Sequence, residues 1–186
     1  MDQRRLVERA QAGDHDAFAE LVRDGISRLD TTARLVLRDP ELARDAVQDA
    51  LLRAWRELRR LRDPERFDAW VYRLTVNACL DHARHRRRRP IEIEMTPLFT
   101  PLVPDPAVAI ADRALVDGVM RRLDARSRAI VVLHYFVGLP LTEVAAVLEM
   151  PVGTVKSRLH RALGEMRAEA TASPHLATQP AEGNVA

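Results

Sequence analysis

The sequence predicts an all-α fold in which two small helical domains are joined by a proline-rich linker. Three observations lead there. Residues of high helix propensity dominate, and only 7 glycines occur among 186 residues. Aspartates stand directly ahead of apolar runs with helical period, where they suit N-caps. Pro90, Pro97, Pro101, Pro104 and Pro106 crowd a stretch that has neither helical nor strand periodicity.

The first domain is expected over residues 1–89. A short helix near residues 3–11 opens it, and Asp14 then caps a helix running to Leu37. Asp24 and Gly25 fall inside that helix and weaken it. Asp39 with Pro40, and Asp63 with Pro64, start two more long helices, each proline in the first turn where a missing N–H does no harm. The linker takes residues 90–106, and at about 3.1 Å per residue it can span roughly 50 Å. The second domain, residues 107–170, is expected to hold about four helices, with Asp105 and Pro106, Asp124, and Thr142 at helix starts. Gly138 ends the helix through Ile130 and Tyr135. So small a domain has a small core and marginal stability of its own. Residues 171–186 are small, polar and proline-containing, and are expected to be disordered.

Charge narrows the function classes. The formal net charge is +2, yet of the 29 basic side chains only Lys156 is a lysine. Residues 64–89 carry seven arginines against Glu65, Asp68 and Asp81; residues 90–118 carry only Arg113 against five carboxylates. A basic surface followed by an acidic connector fits a polyanionic partner for the former. The single cysteine, Cys79, excludes an internal disulfide framework and a multi-cysteine zinc site, and fits a reducing compartment. The N-terminus lacks the apolar core of a signal peptide, and no stretch reaches the roughly 20 apolar residues of a membrane span, so a cytoplasmic location without membrane insertion is expected.

Residues 141–167, LTEVAAVLEMPVGTVKSRLHRALGEMR, set a short helix, a turn at Met150–Gly153 and a longer helix in succession. Val155, Leu159, Ala162 and Met166 make the buried stripe of the longer helix. Ser157, His160 and Arg161 then face outward, flanked by Thr154, Lys156 and Arg158. Small hydrogen-bonding groups between cations suit a helix that reads base edges and grips phosphates. Geometry alone fits an ordinary amphipathic hairpin with a solvated face almost as well.

Two helices of the first domain carry further patterns. Around AVQDALLRAW, the residues Ala43, Val47, Ala50, Ala54 and Leu58 form a buried stripe, leaving Asp45, Gln48, Asp49 and Leu52 on another side. A solvated face explains most of this; an exposed leucine among acids is a mild interface sign. The helix FDAWVYRLTVNACLDHARHRRRR buries Phe67, Trp70, Val71, Leu74 and Ala78 on one side and Tyr72, Val76, Cys79 and Ala83 on a second. Between them runs a polar edge of Arg73, Asn77 and Arg84, ending in the basic run to Arg89 and suited to a nucleic-acid backbone.

The string PVGTVKSRLHRA, with the two first-domain helices, closely resembles the sigma factors of bacterial RNA polymerase, in particular the extracytoplasmic-function group. The resemblance covers roughly residues 3–90 and 107–168. It implies a non-enzymatic subunit that binds core polymerase, at the clamp helices of the largest subunit and at the flap, and directs it to promoter DNA. It assigns minus-35 contacts to Thr154, Lys156, Ser157, Arg158, His160 and Arg161, and polymerase docking to Asp45, Gln48, Asp49 and Leu52. Asp49 stands where relatives more often have Glu. Minus-10 recognition and melting fall to Arg73, Asn77 and Arg84 and to the loop with Leu61, Arg62 and Asp63, where capture of a flipped base must return the few kcal/mol that unstacking costs. A cognate anti-sigma protein is implied as well; no cofactor or metal is.

Two other readings compete. An enzyme has little support: the six histidines form no zinc pattern, Cys79 sits on an apolar stripe, and no glycine-rich phosphate loop occurs. A stand-alone regulator would explain the second domain but not the acidic-plus-apolar face beside a basic helix. Such a regulator binds a duplex site alone, whereas a sigma factor needs core polymerase.

Overall fold

In the computed structural model, residues 2–88, 118 and 120–172 are described, and every regular element among them is helical. The linker expected at 90–106, the Asp105–Pro106 start, Arg89 and residues 173–186 lie outside them.

Helix α1 (Gln3–Gln11) buries Leu6, Val7 and Ala10, and α2 (His15–Arg23) starts where the Asp14 carboxylate accepts from the Ala17 N–H at 3.0 Å. The single helix expected from Asp14 to Leu37 is instead two, α2 and α3 (Ile26–Leu37), broken at Asp24–Gly25. Glycine's poor helix propensity locates the break. It lets Ala17 on one side and Leu29, Ala33 and Val36 on the other all reach the core. Helix α4 (Pro40–Glu57) begins as expected, Asp39 accepting from the Glu41 and Leu42 N–H groups at 3.1 and 3.0 Å. Two 3-10 turns, Leu58–Arg60 and Pro64–Arg66, lead into α5 (Phe67–Arg88). Asp63 caps the second turn through the Glu65 N–H rather than α5 itself. The Trp55 ring ties α2 to α4, with His15 tilted over it at 4.2 Å and Phe18 edge-on at 5.3 Å.

In the second half, Asp124 accepts from the Ser127 N–H at 2.7 Å and opens α6 (Ala125–Val131). The chain continues through one wide π turn, Val132–Phe136, and stops at Gly138, whose φ of +86° is the left-handed conformation expected of a helix-ending glycine. Helix α7 (Leu141–Val147) starts from Pro140, so Thr142 lies inside its first turn and caps nothing: the ring of Pro140 already fixes the entering backbone. The turn into α8 (Val152–Ala172) lies earlier than Met150–Gly153. Glu149 takes the left-handed conformation at φ +52°, Pro151 precedes the helix, and Gly153 is helical. Helix α8 also runs two residues into the stretch expected to be a tail.

The two halves meet. Between them Arg128 of α6 donates from Nε to the Val36 carbonyl at 2.6 Å, at the end of α3, and from Nη1 to Leu123 at 2.6 Å and Met120 at 3.3 Å. Three helix-end carbonyls that would lack partners are thereby satisfied.

Candidate nucleic-acid and protein interfaces

Helix α8 presents the face its periodicity predicts. Val155, Leu159 and Ala162 are buried against α6 and α7, while Lys156, Ser157, His160 and Arg161 are exposed. Thr154 and Arg158 are half-buried at the edge. Ser157 donates its hydroxyl to the Thr154 carbonyl at 3.0 Å, which leaves its oxygen lone pairs outward. Arg158 is drawn back onto Asp124 at 3.2 Å, so Lys156 and Arg161 are the cations that stand clear. An exposed helix face with small polar groups between cations is what major-groove reading requires.

On α4 the stripe Ala43, Val47, Ala50 and Ala54, with Leu58 in the turn that follows, is buried throughout, and Asp45, Gln48, Asp49 and Leu52 all face solvent, Leu52 at 47% exposure. Asp49 is braced from α5, its Oδ2 lying 2.9 Å from His82 Nε2. On α5 the two apolar sides pack as expected, and Arg73 and Arg84 stay exposed. Arg84 is paired with Asp81 one turn back. Asn77, between them, is half-buried and hydrogen-bonded to no described residue, so both its donor and its acceptor are available.

The loop with Leu61, Arg62 and Asp63 lies beside the start of α5, and α1 holds it. Gln11 Nε2 donates to the carbonyls of Leu58 and Leu61 at 3.0 and 2.9 Å, Arg59 Nε donates to Gln11 O at 3.1 Å, and Gln3 Nε2 reaches Pro64 O at 3.4 Å. Arg62 and Asp63 are exposed, Asp63 pairing with Arg66 at 3.4 Å. The described residues hold no group of three or more His, Cys, Asp or Glu side chains able to bind a metal, and no helix among them is long and apolar enough to cross a membrane.

Comparison with known proteins gives these faces a family. Residues 21–89 match Sigma-70 region 2, and residues 113–166 match Sigma-70, region 4. The RNA polymerase sigma-E factor of Streptomyces coelicolor is 36% identical over 155 residues, 83% of this chain and 86% of that protein. The ECF RNA polymerase sigma factor SigM of Mycobacterium tuberculosis is 36% identical over 151 residues, 81% of this chain and 76% of that protein. The chain belongs to the extracytoplasmic-function group of sigma factors. Among solved structures, CnrH in complex with the cytosolic domain of CnrY covers 92% of this sigma factor and 99% of its own chain, with 31% identity and a TM-score of 0.66. As a sigma factor the protein serves promoter-specific transcription initiation by RNA polymerase.

Several features of this sigma factor had no marker in the sequence. The brace from Gln11 to the loop carries no motif. Tyr135 and Phe136, in the π turn, are 60% and 42% exposed.

Proposed function

We propose that the factor divides its work over a docking and melting domain, residues 1–89, and a reading domain, residues 107–170, with 90–106 as linker and 171–186 as tail. Asp45, Gln48, Asp49 and Leu52 dock on the clamp helices of the largest polymerase subunit, while the second domain meets the flap. Arg73, Asn77 and Arg84, with the loop of Leu61, Arg62 and Asp63, recognise and melt the minus-10 element. Thr154, Lys156, Ser157, Arg158, His160 and Arg161 contact the minus-35 element. The observation that carries this reading is the pairing of two separate exposed faces: an acidic-plus-apolar one on α4 and a cationic, small-residue one on α8. The unoccupied amide of Asn77 on α5, and separately the loop held in place by α1, support base capture.

The protein acts in the cytoplasm as a non-catalytic subunit, without cofactor or metal. Because CnrH is solved with the cytosolic domain of CnrY, and CnrH is 31% identical to this chain, an anti-sigma protein is the proposed regulator. In vitro transcription with purified core polymerase and a library of genomic promoters tests the whole reading. Specific transcripts should appear only when the factor is added. Failure to associate with core enzyme at low salt overturns it.

A further inference from the structure

On α5, His82 stands one turn past Ala78 and so continues the stripe of Val71, Leu74 and Ala78 beyond its apolar end. At that point it meets the exposed edge of α4, where its Nε2 lies 2.9 Å from Asp49 Oδ2. A carboxylate only accepts, so the ring carries a hydrogen on Nε2 and donates it, whether the imidazole is neutral or charged. The His82 side chain is 24% exposed and that of Asp49 62%. A donor anchored against the helix pair thus holds a carboxylate that still faces solvent. Oδ1 of Asp49 makes no hydrogen bond to a described residue. The seating of α4 does not depend on this contact: its stripe of Ala43, Val47, Ala50 and Ala54 is buried, and Arg86 of α5 donates to Asp39 at its start at 3.0 Å. A pair this open contributes little to folding. What it does is fix the Asp49 side chain before any partner arrives.

We propose that His82 is a positioning residue for polymerase docking, holding Asp49 by Oδ2 so that Oδ1 is set for the partner. The proposal rests on the reading that Asp45, Gln48, Asp49 and Leu52 dock on polymerase. A carboxylate oriented in the free protein loses less side-chain freedom when it is bound, and that saving appears as affinity. His82 itself touches no partner; its whole effect passes through Asp49. Removing His82 therefore matters only while Asp49 is present, and any side chain that returns an N–H to the same place restores the effect.

A double-mutant cycle tests this by titrating the full chain, labelled at its N-terminus, with core polymerase at low salt. His82→Ala should weaken binding about threefold or more, the size of coupling expected between side chains in contact. It should keep the melting temperature within about 2 °C of wild type, because the pair adds little to folding. His82→Gln, whose amide nitrogen lies as many bonds from Cβ as the imidazole Nε2, should bind within about twofold of wild type. In an Asp49→Ala background, His82→Ala should change nothing further. Equal weakening by His82→Ala with and without Asp49 overturns the proposal, since His82 then acts on its own account. A His82→Ala variant that binds as well as wild type or better overturns it too, as does failure of His82→Gln to restore affinity. If Asp49→Ala weakens binding while His82→Ala does not, the positioning role falls and the docking reading stands. If Asp49→Ala binds like wild type, both fall.

Discussion

Arg158 Nη1 donates to Asp124 Oδ2 at 3.2 Å across 34 positions of sequence, so α8 is fastened to the start of α6. The other oxygen of the same carboxylate caps α6 through the Ser127 N–H at 2.7 Å. One side chain therefore sets the beginning of α6 and the seating of α8.

Asp124→Asn keeps a cap acceptor and removes the ion pair, and should cost under about 1 kcal/mol because the pair is substantially solvated. Asp124→Ala removes both and should cost about 1 kcal/mol more. Burial raises the Asp124 pKa, but the Ser127 N–H and Arg158 outweigh it and hold the carboxyl below its ordinary value. A depressed pKa contributes stability that is present above the unfolded value, about 3.9, and lost as pH falls through the folded one. Denaturant titration of wild type and Asp124→Asn should thus show a gap at pH 7 that closes below about pH 4. A gap that stays constant in acid contradicts the assignment.

The same contact separates the arginines of α8. Arg161 is exposed and free to reach a base edge, so Arg161→Ala should cost about 1–3 kcal/mol on a cognate minus-35 duplex and relax preference at one position. Arg158→Ala should reduce the salt slope of binding by about one unit without changing base preference. Binding isotherms at several salt concentrations distinguish the two, and an Arg161 variant with unaltered affinity rules out the base contact.

Most of the fold was legible because the punctuation was local. Asp14, Asp39 and Asp124 bond their own next turn, and Gly138 needs only its own φ. What could not be read depends on partners far along the chain. Thr142 has a capping side chain, but Pro140 ahead of it had already begun the helix. The Asp14–Leu37 run reads as one helix until the core demands a bend at Gly25. Faces followed periodicity and were legible; which cation of α8 is engaged, as Arg158 is, depends on a residue 34 positions away.

Gln11 yields a prediction of this long-range kind. Its amide donates to two carbonyls of the turn leading into the loop Leu61–Asp63. Gln11→Ala should cost about 1–2 kcal/mol of stability, from two bonds of about 1 kcal/mol or less each. It should slow open-complex formation while leaving core-polymerase affinity unchanged. Asn77→Ala should give the same kinetic defect with little loss of stability. Normal promoter opening by both variants would remove the loop and Asn77 from the melting machinery.

Thr32 is fully buried, and its hydroxyl has no hydrogen-bond partner among the described residues. An unsatisfied buried hydroxyl costs about 1–3 kcal/mol. Thr32→Val keeps the shape and removes the polar atom, so it should stabilise the chain by about 1 kcal/mol in urea denaturation. Destabilisation by that variant would mean the hydroxyl is satisfied.

Cys79 is fully enclosed on α5, and burial pushes its thiol up to about 12. Only the thiolate attacks an alkylating reagent, and in the unfolded chain ionisation begins near pH 8.5. From that pH upward the unfolded state loses a proton that the native state retains, so this group erodes stability as the solution becomes more alkaline. In native protein at pH 8.5, labelling should proceed only through opening, at a rate set by the unfolding equilibrium, and should accelerate to that of a free thiol in denaturant. If folded protein is alkylated as fast as denatured protein, Cys79 is not enclosed, and the packing of α5 against α4 must differ from that described.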